Sequence, residues 1–179
     1  KRFLSFMLQN GIDHLLVSGT CLEFGKKSGP LAPKDPTSPE IPYAIAKDQL
    51  RRWLDNYKKE ENFFLQWVRL FYMFGVGQSS KSIISQLDQA IDQGKKVFNM
   101  SKGEQLRDYL PVEVVAKKIV NYIDKKDQEG IRHCCSGKSI SIRDLVERHI
   151  KKRKAKIKLN LGYYPYLDYE AMEFWGVEK

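Results

Sequence analysis

The stretch H-L-L-V-S-G-T-C-L-E-F-G (14–25) decides the fold of this chain. It begins just after Asn10-Gly11 as a short apolar run, a pattern typical of a buried strand. The strand ends in two small hydroxyl residues, Ser18 and Thr20. Because ligands of open α/β sheets bind at the carboxyl ends of the strands, the sequence predicts a binding site beside these two hydroxyl groups.

A tyrosine and a lysine four residues apart follow in P-Y-A-I-A-K (42–47). Residues at this spacing lie on one face of a helix. A lysine charge beside a phenol stabilises the phenolate, so such a tyrosine can pass a proton to or from a carbonyl or carbinol oxygen. Surface Tyr–Lys pairs share this spacing, but the upstream hydroxyl residues favour a catalytic pair at Tyr43 and Lys47.

The periodicity of apolar residues predicts alternating helices and strands, and therefore the α/β class. The predicted helices cover residues 42–58, 80–93, 111–123 and 141–150, and the end of another helix covers 1–10. The predicted strands that follow the first one cover residues 62–71, 97–100, 131–135 and 156–161. Ser141 and Asp144 have the spacing of a capping box, which predicts where the last helix begins.

Four segments of the chain, in this order, carry a recognisable pattern: V-S-G-T-C-L-E-F-G (17–25), P-Y-A-I-A-K (42–47), V-R-L-F-Y-M-F-G-V-G-Q (68–78) and L-R-D-Y-L-P-V-E-V-V-A (106–116). They resemble the catalytic Ser/Thr strand, P-Y-x-x-S-K, L-R-x-F-N-V-Y-G-P-G and x-R-D-F-I-H-V-x-D-V-A of the extended short-chain dehydrogenase/reductase family. Members of that family are nucleotide-sugar epimerases, dehydratases and reductases.

The resemblance implies part of a Rossmann-type parallel sheet with a small C-terminal substrate-binding subdomain. It implies that residues 1–75 form the C-terminal half of the dinucleotide-binding domain and carry the catalytic Tyr and Lys. Residues 76–179 are then mainly the sugar-nucleotide-binding subdomain, with some segments returning to the sheet. No G-x-x-G-x-x-G fingerprint occurs in the sequence. We therefore expect the carboxyl-terminal portion of such a protein, inactive without its glycine-rich half.

The resemblance also implies NAD or NADP as cofactor, a nucleotide sugar as substrate, and roles for particular residues. The implied catalytic residues are Thr20, Tyr43 and Lys47, and the implied cofactor-binding residues are Ser18, Tyr43, Lys47 and Phe71. The implied substrate-binding residues are Thr20, Tyr72, Gln78, Phe98 and Arg107. The planar fork of an arginine suits a diphosphate, although an ion pair with Asp108 or Glu104 is an alternative for Arg107. Tyr72 stands where the family usually has asparagine.

The two residues that follow Thr20 reduce the number of reactions that are to be expected. Family members that dehydrate their substrate carry Asp-Glu there, whereas this chain has Cys21 and Leu22, so a 4,6-dehydratase is not expected. The tail 159–176 resembles deoxysugar 4-ketoreductases, which favours a 4-keto-6-deoxy sugar nucleotide reductase of lipopolysaccharide O-antigen biosynthesis. A nucleotide-sugar 4-epimerase and a non-catalytic binding or assembly fragment are the alternatives. If dehydration did occur, Glu23 would be the first acid/base candidate.

Composition agrees with an enzyme of the cytoplasm. The 179 residues are 42% hydrophobic, enough for a sizeable core, and no apolar run reaches membrane-spanning length. The three cysteines and three histidines lack metal-ligand spacing, so no metal site is expected. The net charge of +9 is concentrated in K-K-R-K-A-K-I-K (151–158), where a helix end running into a strand is favoured over a nucleic-acid site. We expect a homodimer for the full-length protein.

Overall fold

The computed structural model describes residues 1–125, 127–166 and 171–178, as an α/β chain. Its helices are α1 (Arg2–Gln9), α2 (Pro42–Tyr57), α3 (Ile83–Asp92), α4 (Val112–Asp124) and α5 (Ile142–Lys152). Its strands are β1 (His14–Thr20), β2 (Gly29–Leu31), β3 (Phe64–Leu70), β4 (Tyr72–Phe74), β5 (Val97–Asn99), β6 (Leu106–Arg107), β7 (Tyr109–Pro111), β8 (Gly130–Cys134), β9 (Ile140–Ser141), β10 (Lys158–Asn160) and β11 (Phe174–Gly176). Within these residues, no helix combines the length and the apolar character that a membrane span requires.

Strands β1, β3 and β8 form a parallel sheet with the order β1-β3-β8. Thr20 at the end of β1 is paired with Leu70 of β3, and Leu70 is paired with Cys134 of β8. Because all three strands run in one direction, their carboxyl ends meet at the same edge of the sheet. The predicted α/β fold with a Rossmann-type parallel sheet is therefore confirmed.

Successive side chains of β3 enter two different cores. Trp67 packs with α1 and α2, where it joins a cluster that includes Leu54 and Tyr57. Val68 points to the other face and packs with Val115 of α4 and with Cys134. This alternation follows from the two-residue repeat of a strand, and it explains why β3 is buried almost throughout.

The carboxyl-terminal part has its own core between α3, α5 and the parallel pair β5-β10. Leu87, Phe98, Val146 and Ile157 are buried together there. The Oγ of Ser141 accepts a hydrogen bond of 2.9 Å from the main-chain N–H of Asp144, at the predicted start of α5. The basic run 151–158 begins in the last two residues of α5 and ends in the first residue of β10, and residues 153–157 lie between them. The strand predicted over 156–161 covers only Lys158–Asn160.

Some predicted boundaries were wrong. The strand expected over 62–71 ends at Leu70, and Tyr72 begins the separate strand β4, which pairs with β7. Phe71 lies between them with its side chain in the core against Phe174. Helix α3 begins at Ile83 rather than at residue 80, because the side chain of Ser82 caps it. Strands β2, β4, β6, β7, β9 and β11 were not predicted, and each of them has only two or three residues, too few to show a repeat.

Candidate active site

A cavity of about 280 Å³ lies at the carboxyl end of β1, beside the start of α2. It brings together five residues that the sequence predicted for one site: Ser18, Thr20, Tyr43, Phe71 and Tyr72. Gly19, Cys21, Leu22, Leu70 and Met73 complete its lining. The residues come from β1, α2, β3, β4 and the segments that follow β1 and β3, so the edge of the parallel sheet assembles the cavity.

Tyr43 and Lys47 occupy the first two turns of α2, which Pro42 opens. Tyr43 is 55% exposed, so its ring stands at the open side of the cavity. The Lys47 Nζ lies 5.9 Å from the centre of the Tyr43 ring and donates a hydrogen bond of 2.9 Å to the main-chain oxygen of Ser18. The predicted Tyr–Lys pair is thus adjacent in space and attached to the end of β1.

Thr20 is buried at the end of β1 and caps the single turn of 3-10 helix that covers Cys21–Phe24. Its Oγ1 accepts a hydrogen bond of 3.3 Å from the main-chain N–H of Leu22. A hydroxyl group that accepts with its oxygen still has its own proton to donate. Thr20 can therefore donate a hydrogen bond to an oxygen atom of a ligand in the cavity.

Glu23 closes the same turn, but its carboxylate does not line the cavity. It is completely buried, accepts from the main-chain N–H of Thr20 at 2.9 Å, and forms an ion pair of 2.7 Å with Arg69. The expectation that Glu23 would be the first acid/base candidate was therefore wrong, because it has no access to a ligand. The spacing Thr-x-x-Glu, a capping-box signature, was the sequence signal for this structural role.

A second cavity of about 300 Å³ adjoins the first and shares Leu22 and Tyr72 with it. Its lining also includes Ala171 and Phe174 from the carboxyl-terminal segment. The only carboxylate in its lining as described is Glu40, which pairs with Lys26 at 3.7 Å. Sequence reasoning missed Phe174, because it reaches the site through β11, one of the strands that were too short to predict.

Arg107, predicted to bind the substrate, is not in the lining of either of these cavities. Its guanidinium group is buried and donates hydrogen bonds to the main-chain oxygens of Leu106, Ala171 and Met172. It also lies 4.6 Å from the centre of the Phe174 ring. The diphosphate contact of Arg107 stays a prediction, for which the guanidinium would have to exchange main-chain partners for phosphate oxygens.

Two further predicted substrate contacts also lie outside the cavity. Phe98 is buried in the core between α3 and α5. The Nε2 of Gln78 donates a hydrogen bond of 2.8 Å to the main-chain oxygen of Met73. A larger cavity of about 570 Å³, near α3 and α5, contains none of the predicted site residues. The roles of Phe98 and Gln78 remain predictions.

The chemical groups in the cavity suit proton transfer to an oxygen atom. Thr20 and Tyr43 supply hydroxyl groups, and no carboxylate belongs to the lining as the structure describes it. Burial raises the pKa of the Cys21 thiol to about 12, although the nearby Arg107 charge opposes this shift. Cys21 therefore stays a neutral thiol near pH 7. Such a set of groups can hold and protonate a carbonyl oxygen, but it offers no carboxylate for an elimination.

The chain is similar to two curated enzymes. Over 178 residues the chain is 33% identical to the dTDP-6-deoxy-L-talose 4-dehydrogenase (NAD(+)) of Aggregatibacter actinomycetemcomitans, covering 99% of this chain and 66% of the relative. It is 24% identical to the dTDP-4-dehydro-6-deoxyglucose reductase of Escherichia coli over 149 residues, covering 81% of this chain and 47% of the relative. The chain thus spans less than two thirds of the length of these relatives.

A solved structure shows the same fold. The UDP-N-acetylglucosamine 4-epimerase from Methanobrevibacter ruminantium, in complex with UDP-N-acetylmuramic acid, superposes with a TM-score of 0.89. The sequence identity is 22%, and the match covers 99% of this chain and 58% of the epimerase. The sequence model of one family, described as the NAD dependent epimerase/dehydratase family, matches residues 1–134. The chain therefore belongs to the NAD dependent epimerase/dehydratase family.

Proposed function

We propose that the full-length protein is an NAD(P)-dependent reductase that acts on a nucleotide-activated 4-keto-6-deoxy sugar. The observation that carries this proposal is the composition of one cavity. Its lining contains the hydroxyl residues Thr20 and Tyr43, and the two residues that follow Thr20 in the lining are Cys21 and Leu22. Both hydroxyl groups can serve one carbonyl oxygen, and the lining described offers no carboxylate for dehydration. The proposed reaction is therefore redox chemistry at a single carbon.

The residues of the site have separate tasks in this reaction. The Thr20 hydroxyl donates a hydrogen bond to the keto oxygen and holds it beside Tyr43. Tyr43 then donates its phenolic proton to that oxygen as the carbonyl carbon is reduced, so that C=O becomes CH–OH. Lys47 lies on the same helix face, with its Nζ 5.9 Å from the centre of the Tyr43 ring.

We infer that a nicotinamide cofactor binds at the open side of the cavity. When it is bound, the nicotinamide supplies the hydride. In this proposal Lys47 holds the adjoining ribose, because an ammonium group has three donors and its bond to Ser18 uses only one of them. The side chain of Ser18 is exposed beside it. Phe71 borders the cavity, while its ring packs in the core.

The apolar wall supports a deoxy sugar as the substrate. Leu22 and Tyr72 are shared by the two cavities, and Phe174 continues the same wall. In the proposed binding mode, the carbon next to the reacting one carries its C6 group toward Leu22 and Phe174, whose side chains have no hydrogen-bonding groups. Binding against this wall costs a methyl group little free energy. A hydroxymethyl group would give up its hydrogen bonds to water without replacing them, so its binding is less favourable. The names of both curated relatives describe redox chemistry on a 6-deoxy or 4-dehydro-6-deoxy sugar nucleotide.

A homodimer of the full-length protein is part of the same proposal. Phe3 and Phe6 on α1 are 76% and 62% exposed, and Leu50 and Trp53 on α2 are also exposed. The two helices are neighbours, since Leu4 packs in one cluster with Leu54 and Tyr57 of α2. Their exposed apolar side chains suit a contact with a second copy.

The decisive experiment supplies the purified full-length protein with a dTDP-4-keto-6-deoxyhexose and reduced nicotinamide. We expect one nicotinamide to be oxidised for each sugar reduced, and no 4-keto-6-deoxy product from the parent dTDP-hexose. Inversion of a sugar nucleotide without net oxidation of nicotinamide would instead identify a 4-epimerase. Tight binding of the sugar nucleotide with neither reaction would identify a non-catalytic binding module.

A further inference from the structure

A completely buried carboxylate lies directly beneath the proposed catalytic threonine. Glu23 is 0% exposed, and its Oε1 accepts the main-chain N–H of Thr20 at 2.9 Å. In return the Thr20 Oγ1 accepts the N–H of Leu22 at 3.3 Å. The two bonds together fix the main chain of Thr20 and engage its hydroxyl oxygen as an acceptor. The hydroxyl keeps its proton for donation to a substrate oxygen, in competition with the neighbouring Cys21 thiol.

The carboxylate of Glu23 is itself held by the neighbouring strand β3. The Nε of Arg69 donates to Oε2 at 2.7 Å, and the Nε1 of Trp67 donates to the two oxygens at 3.1 and 3.3 Å. Arg69 is anchored in turn, since its Nη1 donates to the main-chain oxygen of Pro33 at 2.9 Å. A rigid set of donors therefore determines the position of the carboxylate.

Gly19 has no side chain, and the space that a side chain would fill is occupied by Trp67 and the Glu23 carboxylate. A Cβ at position 19 would overlap the Nε1 of Trp67 and would lie 2.6 Å from the Oε1 of Glu23. Any side chain there would push the carboxylate away from Thr20. The residue just before the catalytic threonine is thus small because Glu23 and Trp67 meet behind it.

Stabilisation of the fold does not by itself explain why the chain buries the ion pair between Glu23 and Arg69. Burying an ion pair removes two charges from water, and apolar residues of similar volume often stabilise a fold equally well. The only main-chain group that donates to this carboxylate in the described contacts belongs to Thr20. We propose, on the basis of the proposed function, that Glu23 is a positioning residue that acts through Thr20 and sets the direction of its hydroxyl group.

A double-mutant cycle in the full-length protein tests this assignment. Glu23→Gln keeps the size of the side chain but replaces one carboxylate oxygen with an amide. Because small displacements of a catalytic group are costly, we expect kcat to fall roughly 10- to 100-fold, with the KM for reduced nicotinamide unchanged. In a Thr20→Val background, where the hydroxyl is already absent, the same substitution should produce no further loss of kcat.

Asp48 offers a matched control. It is also a buried carboxylate in an ion pair, because its oxygens accept from Arg51 and Arg52 at 2.8 and 2.7 Å, and it is not in the lining of the cavity that holds Thr20 and Tyr43. Asp48→Asn should lower the Tm in the same way as Glu23→Gln, yet leave kcat near the wild-type value. If Glu23→Gln does not fold, Gly19→Ala, which displaces the carboxylate without removing it, takes its place in the cycle.

The outcomes separate this inference from the proposed function. Equal loss of kcat in the wild-type and Thr20→Val backgrounds would show that Glu23 does not act through Thr20 and would overturn the assignment. Unchanged kcat in Glu23→Gln would do the same. If Thr20→Val alone leaves kcat unchanged, the proposed function loses the role of Thr20 instead. If Glu23→Gln only destabilised the fold, its effect on kcat would not depend on whether the Thr20 hydroxyl is present.

Discussion

Lys47 and Ser18 are joined by a hydrogen bond of 2.9 Å from the Nζ of the lysine to the main-chain oxygen of the serine. The bond connects α2 to β1 across 29 residues of sequence. It fixes the helix that carries Tyr43 against the strand that ends in Thr20. Together with the packing of Leu54 and Tyr57 of α2 on the sheet, this contact holds the two hydroxyl groups in their relative position.

Replacement of Tyr43 by phenylalanine should remove the proton donor and leave the fold intact, because the side chain is largely exposed. In the full-length protein we expect kcat to fall roughly 10²- to 10⁴-fold, the range of general acid catalysis. The measurement is the steady-state oxidation of reduced nicotinamide with a 4-keto-6-deoxy sugar nucleotide.

Tyr57→Phe is the matched control for Tyr43→Phe, because Tyr57 lies on the same helix and its hydroxyl contacts Ser5 at 3.1 Å. It should affect stability and leave kcat unchanged. Wild-type turnover in Tyr43→Phe would remove Tyr43 from the mechanism.

Leu22 should determine the preference for a deoxy sugar. In Leu22→Asn an amide replaces part of the apolar wall shared by the two cavities. We expect the ratio of kcat/KM for the 6-deoxy over the 6-hydroxy substrate to fall on the order of tenfold. Val97→Asn, an exposed change on β5, should leave that ratio unaltered. A ratio that Leu22→Asn does not alter would exclude this wall from recognition of C6.

His133 should make the stability of the fold depend on pH. It is completely buried, and its ring packs against the rings of Phe24 and Phe71. Burial, and then the charge of Arg69, lower its pKa from 6.5 to about 4. The unfolded chain therefore takes up this proton first, so stability falls as the pH drops from about 6.5 to about 4, by about 3 kcal/mol at most.

Denaturant unfolding of the full-length protein between pH 7.5 and pH 4 measures this effect. The free energy of unfolding of His133→Leu should decline less over that interval than that of the wild type, because leucine does not titrate. The difference between the two proteins should develop mainly below pH 6.5. Parallel curves for the two proteins would assign the acid sensitivity to other groups.

The exposed apolar side chains of α1 and α2 should matter for assembly. Phe6→Asp places a charge on this surface, and we expect it to shift the full-length protein from dimer to monomer in analytical ultracentrifugation. Val76→Asp is the control, since Val76 is 94% exposed elsewhere on the molecule. A wild-type protein that is already monomeric at micromolar concentration would contradict the proposed homodimer.

Local patterns in the sequence predicted much of the site. Strand β1 ends at Thr20, and helix α2 carries Tyr43 and Lys47 four residues apart, as their spacing indicated. The capping serine of α5 was also predictable, because a cap and its N–H partner are three residues apart. Such features depend on neighbours in sequence, and the geometry of a helix or strand converts the spacing directly into a position in space.

The sequence by itself thus determined the α/β class, the order of the main elements, and the one strand end and helix start where Thr20, Tyr43 and Lys47 would lie. Only the tertiary structure decided that Glu23 is buried against Arg69, 46 residues further along the chain, and that Phe174 completes the wall beside Leu22. It also placed Arg107 and Phe98 outside the cavity. These arrangements depend on strand pairing and packing between distant segments, which no local periodicity records.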